Sequence, residues 1–423
     1  MNRDPRWIVT SGHDGKIKSR SDQIRAALRP RVWHRARRSR STIACLGVVA
    51  MAILSALGGS IHAEEPPTIT VSKGNKINLA ISPLSGNEGP AITKILQNDL
   101  MLSGYFAVGG KAVYTVRGGA TGGSLQGQVV DESGGTVLSK NYNGSARENA
   151  HRFADDIIET LTGNKGFATS KIAFIATRSG KKEVYVADYD GSNARQMTHD
   201  GVISVHPSIS PDGRRIAYTG YQSGYPDVYV IDLASGARNK IVNFPGTNSG
   251  ASFSPDGGRL ALTVSKDGNP ELYTVSASGG SARRLTHTHG VESSPTWAPS
   301  GDEIIYSFDD GRGPQLYRIS PGGGGGQPIP TGRGYCTEPN WSPDGKKVAF
   351  NVRGSGGFEV AILDLNGTGT HMVSSGENPV WGADSRHIIF TEGGALYLLD
   401  TVTSHKSKLL DGLGKITEPS WSR

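Results

Sequence analysis

The chain has 423 residues, and 58 Gly with 22 Pro make almost a fifth of it turn-forming, which argues against a single helical bundle. Hydrophobic residues amount to 36% and fall in short runs, so a polytopic membrane protein is excluded. The formal charge of +7 is local: residues 1–63 hold 12 Lys/Arg and 3 Asp/Glu, and taking these from the totals of 45 and 38 leaves 33 basic and 35 acidic residues, so net charge gives no case for nucleic acid.

Residues 1–63 read as an export signal with a long basic front. Arg29 to Arg40 is dense in arginine, and Ser41 to Ile61 carries no charge around the apolar core Leu46 to Leu54. Small residues and Ile61-His62-Ala63 then precede Glu64-Glu65-Pro66-Pro67, the order of a secretory signal cleaved near Ala63. Arg37-Arg38 is followed by residues too polar for the twin-arginine route. An uncleaved anchor is the alternative. Cleavage would remove Cys45 and leave Cys336 unpaired, so no internal disulfide is expected.

Residues 64–165 read as a small α/β domain. Thr68-Ile-Thr-Val71 and Lys76 to Ile81 alternate as strands. A helix follows from Pro90 to about Ser103, with Ile92, Ile95, Leu96 and Leu100 on one face and Gly104 as its stop. Strands Ala112–Val116, Ser124–Val130 and Thr136–Asn141 come next. A second helix, Ala146–Thr162, turns Phe153, Ile157 and Leu161 inward and ends at Gly163.

Residues 166–423 repeat. The lines Pro207-Ser-Ile-Ser-Pro-Asp-Gly213, Ala251-Ser-Phe-Ser-Pro-Asp-Gly257, Pro295-Thr-Trp-Ala-Pro-Ser-Gly301, Pro339-Asn-Trp-Ser-Pro-Asp-Gly345 and Pro379-Val-Trp-Gly-Ala-Asp-Ser385 are variants of one pattern and start 44, 44, 44 and 40 residues apart, with a truncated copy at Pro419 after another 40. Each complete line leads into an alternating strand such as Lys347-Val-Ala-Phe350, and one repeat holds four strands separated by turn residues. Four strands in roughly 42 residues is the period of a propeller blade. A six-bladed β-propeller is the expected fold. The strand Lys171-Ile-Ala-Phe174 lacks a leading Pro-x-Trp line, and Pro419 to Arg423 is expected to supply it, closing the ring as a clasp. Trp297, Trp341, Trp381 and Trp421 are expected to pack between blades, with Ile209 and Phe253 in the same slot.

A search for chemistry finds none. No Gly-x-Ser-x-Gly elbow occurs. Gly104 to Lys111 departs from a phosphate loop by an extra Gly and by Ala112 where Ser or Thr should stand. His287-Thr-His289 lacks a third metal ligand nearby. No catalytic residue, cofactor or metal is expected, and binding is the default reading.

The junction Leu161-Thr-Gly-Asn-Lys-Gly166, the run Val186-Ala-Asp-Tyr-Asp-Gly191, the loop Phe244-Pro-Gly-Thr-Asn248 and the terminal Pro-x-Trp-Ser resemble the TolB family of Tol-Pal proteins over residues 66–423. Departures are a shortened stretch around Gly118 to Gly123 and Thr247 in place of a common His. The resemblance implies a monomeric, non-enzymatic periplasmic protein linking a Pal-like peptidoglycan-associated lipoprotein to a TolA-like protein, for outer-membrane integrity and constriction during cell division. An exported propeller enzyme acting on peptides or glycans, and a stand-alone periplasmic scaffold, are the alternatives.

Strand direction divides the propeller into two faces. The Pro-Asp-Gly turns emerge on one, and the loops entering each Pro-x-Trp strand on the other. Those loops are expected to bring Glu292, Glu338, Glu377, Glu418 and several His to one tunnel mouth, with Tyr335 as an aromatic anchor. The resemblance assigns Thr247, Gly250 and Ser293 to contact with Pal, and Tyr335, Glu338 and Glu418 join them as candidates. Thr68, Ile69, Thr70 and Val71, within a detachable segment Pro66 to Asn75, are the candidates for TolA.

Overall fold

The computed structural model describes residues 76–367 and 369–422; the expected export signal and the expected strand at Thr68–Val71 lie outside them. Residues 76–165 form a mixed sheet with two helices. Strand β1 (Ile77–Ile81) pairs in parallel with β2 (Phe106–Val108) and β3 (Tyr114–Thr121), and the antiparallel β4 (Ser124–Asp131) and β5 (Thr136–Asn143) extend it in the order β2-β1-β3-β4-β5. The short strand β2 was not legible as a strand in the sequence, and β3 begins two residues later than expected and runs on to Thr121.

Helix α1 (Gly89–Leu102) buries Ile92, Leu96 and Leu100, with Ile95 partly covered. Helix α2 (Ala146–Thr162) starts where Ser145 accepts the Glu148 N–H and stops at Gly163, whose φ of 69° favours a residue without Cβ. Its Phe153, Ile157 and Leu161 enter the core.

Six four-stranded antiparallel sheets follow, one per blade. The leading strands are Ser204–Ile209, Asn248–Phe253, Val291–Trp297, Cys336–Trp341 and Glu377–Trp381 in blades 2 to 6. Blade 1 takes its leading strand, Ile416–Trp421, from the far end of the chain, paired antiparallel with Lys171–Ala176. Each leading strand packs on those of both neighbouring blades, and the succession closes on itself. This is the clasp expected from the repeat, extended three residues upstream of Pro419.

The residue at the middle of the Pro-x-Trp triplet has a physical role in four of the six lines. Ser420 Oγ, Ser208 Oγ, Thr296 Oγ1 and Asn340 Oδ1 each accept the backbone N–H of the aromatic-slot residue in the following blade, at 3.0, 3.4, 3.5 and 2.9 Å. All six slot residues are buried, Ile209, Phe253 and the four Trp alike. Packing fixes blade against blade, and these bonds fix the register.

The α/β domain seats on the Pro-Asp-Gly face. Arg147 spans to Asp188 and Asp190 of blade 1 at 2.7 and 2.6 Å. Asp99 of α1 accepts the Tyr189 hydroxyl at 2.6 Å and lies 2.7 Å from His151 Nδ1. Arg386 of blade 6 pairs with Asp400 at 2.6 Å, donates to the Gly104 carbonyl at 3.2 Å and lies over the Tyr105 ring. One hydrophobic core, containing Leu96, Phe153, Phe167, Leu396 and Trp421, runs through both parts.

A chain ending at Lys415 loses the leading strand of blade 1 and empties the Trp421 slot. Deleting one buried Trp side chain alone costs about 3–5 kcal/mol. The truncated protein is expected to melt on the order of 10 °C below the full chain by calorimetry; equal melting temperatures would contradict ring closure by this strand.

Candidate functional site

The open face is organised by one backbone feature repeated six times. Every leading strand carries a register shift against its partner, a β-bulge. At each bulge one residue adopts a left-handed conformation: His206, Ser294, Glu338, Asn378 and Glu418 at φ 51°, 51°, 53°, 56° and 54°, and Gly250 at 65°. Each stands immediately before the Pro or Ala that opens a repeat line. Left-handed φ at a non-Gly residue is uncommon and costs energy, so five such positions at one latitude mark a surface held against local preference.

These residues ring the tunnel mouth. They line a cavity of about 160 Å³ with Ser208, Ser252, Thr296, Asn340, Val380 and Ser420. Glu418 accepts the His206 backbone N–H at 2.6 Å, with Lys182 Nζ at 3.5 Å. Glu338 accepts from the Asn351 amide, whose own oxygen accepts the Asn378 N–H at 3.2 Å. Burial, with Glu418 and Glu377 as further like charges, pushes the Glu338 carboxyl up to about 7.

The structure sorts the predicted residues. Gly250, Glu338 and Glu418 meet at the mouth. In blade 4 the lining residue is Ser294; Ser293 pairs with Ser307 inside the sheet, because the bulge shifts the alternation by one. Thr247 lies outside the lining, its N–H bonded to Ser265 Oγ at 2.8 Å. Tyr335 is partly buried on the rim beside Phe358 and Arg353.

Two expectations are corrected. Glu292 is absent from the mouth: it is fully buried against blade 3. Of the histidines in the entering loops, only His206 lines the cavity, while His199, His287 and His289 are exposed elsewhere. Glu377 is exposed and lines a neighbouring groove.

Sequence reasoning missed Asn248, whose amide secures the Phe244–Gly250 loop by donating to the Phe244 and Pro226 carbonyls at 2.7 and 3.2 Å. It also missed Ile203, Tyr225 and Val291, exposed at 47, 70 and 45% in entering loops and hairpins of this face. A signal for the ring was present, since starting each repeat one residue before its Pro collects all six members in register. Among the described residues no group of three metal-ligating side chains occurs, and no helix is long and apolar enough to cross a membrane.

The class this fold defines is a two-domain, six-bladed propeller closed by a clasp strand, with a small α/β domain on one face and a strained ring at the open mouth. The TolB β-propeller domain model matches residues 158–423, more than half of the chain. The chain belongs to this family. It is 32% identical over 208 residues to the Tol-Pal system protein TolB of Geobacter sulfurreducens, and 33% identical over 208 residues to that of Geobacter metallireducens. Each match covers 40% of this chain and 48% of the relative, so the chain spans about half the length of these curated relatives. The crystal structure of TolB from Acinetobacter baumannii is similar at 26% identity with a TM-score of 0.73, covering 83% of this chain and 98% of that one.

Glu338 makes the mouth sensitive to pH. An acid whose folded value is raised above its unfolded value binds more protons folded than unfolded, so its contribution to stability declines as pH climbs from about 4.5 through 7. Replacing Glu338 by Gln is expected to flatten that decline. Melting temperatures of the two proteins between pH 5 and 8 should diverge, with wild type falling relative to the variant; parallel curves would contradict the assignment.

Proposed function

We propose that this chain is a periplasmic, non-enzymatic binding protein of the Tol-Pal system. It receives the globular domain of a Pal-like lipoprotein on the tunnel-mouth face. Its amino-terminal segment around Thr68–Val71 engages a TolA-like protein, so that the two contacts link the inner and outer membranes during constriction. The observation that carries the first part is the asymmetry of the faces: the α/β domain occupies the Pro-Asp-Gly side, while the opposite side offers a ring of six backbone-fixed residues, a cavity and exposed Ile203 and Tyr225. A surface whose geometry is fixed before binding loses little conformational freedom on association. The family relationship supports the same partners.

Gly250 gives a clean test. A Cβ built there meets no atom within 4 Å, and its φ of 65° is one that Asn tolerates, as Asn378 does at the equivalent place in blade 6. Gly250→Asn is therefore expected to leave the melting temperature nearly unchanged while projecting a side chain into the mouth. Calorimetric titration with a purified Pal-like domain should show affinity lowered at least about tenfold, roughly 1.4 kcal/mol. Unchanged affinity would remove this face from the interface. Deleting residues 64–75 should abolish capture of the TolA-like protein and spare Pal binding; retained capture would defeat that part of the proposal.

A further inference from the structure

The position two residues before each ring member points into the protein, and its N–H bonds a carbonyl of the preceding blade in every case. Its occupants are Ser204, Asn248, Cys336, Gly376 and Ile416 in five blades and Glu292 in blade 4. Five are uncharged. Glu292 alone is an acid, and it is fully buried.

Its surroundings lack a dedicated counter-ion. Glu292 Oε1 accepts the Thr288 hydroxyl at 2.7 Å, and the backbone N–H of the same Thr288 donates to Glu271 Oε1 at 2.8 Å. Thr288 thereby ties together two fully buried carboxyls that stand within hydrogen-bonding reach of each other. Arg284 donates to Glu271 Oε1 at 2.8 Å, so the one cation at the pair is already engaged. Among the described residues the second oxygens, Glu271 Oε2 and Glu292 Oε2, accept no hydrogen bond of normal geometry, although the Thr286 hydroxyl stands close to the Glu271 carboxyl. Two buried carboxylate oxygens without donors are costly, and one proton between them satisfies both.

We infer that Glu292 and Glu271 share a single proton, and that this acid pair is a pH-sensitive latch holding the loop His287–Ser294 in place on the partner-binding face. The other ionisable groups around the pair are Arg284 and Tyr273 from blade 3, with Asp267 3.7 Å from Arg284, and Tyr306 from blade 4. Burial holds the Tyr273 and Tyr306 hydroxyls well above their ordinary value, so both stay neutral, and the balance is set by the two buried acids and an arginine that also serves Asp267. Burial, then the adjacent Glu271, pushes the Glu292 carboxyl up to about 7, whereas the Thr286 hydroxyl, the Thr288 N–H and Arg284 outweigh burial at Glu271 and hold that carboxyl below its ordinary value. The proton therefore resides mainly on Glu292.

Losing it places a second negative charge in the same buried space. The way to relieve that charge is to let water reach the pair, which requires releasing Thr288. Asn269 holds the Thr288 and Gly290 carbonyls at 3.2 and 2.6 Å, so the release travels along the loop to Ser293 and Ser294 at the mouth. In blade 3 the equivalent Asn248 makes its bonds with a neutral amide and cannot switch.

The inference rests on reading this face as the Pal-binding face, yet the latch itself is measurable without a partner. Carboxyl carbon NMR of glutamate-labelled protein, assigned with Glu292→Gln, should show Glu292 titrating near neutral pH. Gln offers an N–H in place of the shared proton and should keep the loop closed. At pH 8 the Thr288 and Glu292 amides of wild type are expected to exchange faster than those of Glu292→Gln, on the order of tenfold for each unit above the titration point. At pH 6 the two proteins should exchange alike. Titration of Glu292 near 4.5, or equal exchange at pH 8, would overturn the latch. With purified Pal-like domain, wild type should lose affinity between pH 6 and 8 and Glu292→Gln should lose less. If neither protein binds that domain at any pH, the partner assignment fails, while the NMR result still decides the latch.

Discussion

The antiparallel pairing of Ile416–Trp421 with Lys171–Ala176 is the constraint on which the rest of the molecule depends. It joins residues some 250 positions apart: the Ser422 hydroxyl accepts the Lys171 N–H at 2.9 Å, and Trp421 Nε1 donates to Ser170 at 2.6 Å. The Trp421 ring also packs edge-on against Phe167, which itself contacts Tyr189 and His387. One strand thus closes the ring, removes two sheet edges and nails the linker after α2 to the propeller. The loop-closure entropy it must overcome grows only slowly with separation, so the buried aromatic cluster can offset it.

Closure is also what makes strain at the mouth sustainable. Five non-glycine residues in left-handed conformation cost on the order of 1–3 kcal/mol each, and an open ring would relax them. Here each sits at a bulge on its own strand, and His206 and Asn378 also donate their N–H groups to side chains of the preceding blade, to Glu418 at 2.6 Å and to the Asn351 amide oxygen at 3.2 Å. Opposite them, the paired Arg386 and Asp400 at 6 and 5% side-chain exposure lock the α/β domain to the other face. Removing Arg386 would leave a buried, uncompensated carboxylate, the expensive half of such a pair. One face is closed by charge and packing, the other left free.

Much of this was legible in the sequence because the blade period is a property of turn chemistry. Pro-Asp-Gly sets a turn wherever it stands, and the spacing of the lines gave blade number, the Trp slots and the clasp. Helix α2 was readable to the residue, with Gly163 as its stop. The three-residue β2 was not, since Phe106–Val108 is too short to alternate and pairs with β1 through tertiary contact alone. Glu292 was misplaced for a physical reason: lying in an entering loop does not tell which way a side chain points once a bulge breaks the two-residue period, and Glu292 turns inward while Ser294 lines the mouth. Burial of Glu292 needed knowledge of Glu271 across the blade boundary, which no local pattern contains.

The account's central claim is that the strained mouth face is where a Pal-like domain docks. Hydrogen–deuterium exchange of the whole chain with and without that purified domain tests it most directly. Protection is predicted in the entering loops, His199–His206, Phe244–Gly250, His287–Ser294, Gly332–Glu338 and Asp411–Glu418, with the Pro-Asp-Gly turns at Asp212, Asp256 and Asp344 unchanged. Protection of those turns with exposed, unaltered entering loops would contradict it.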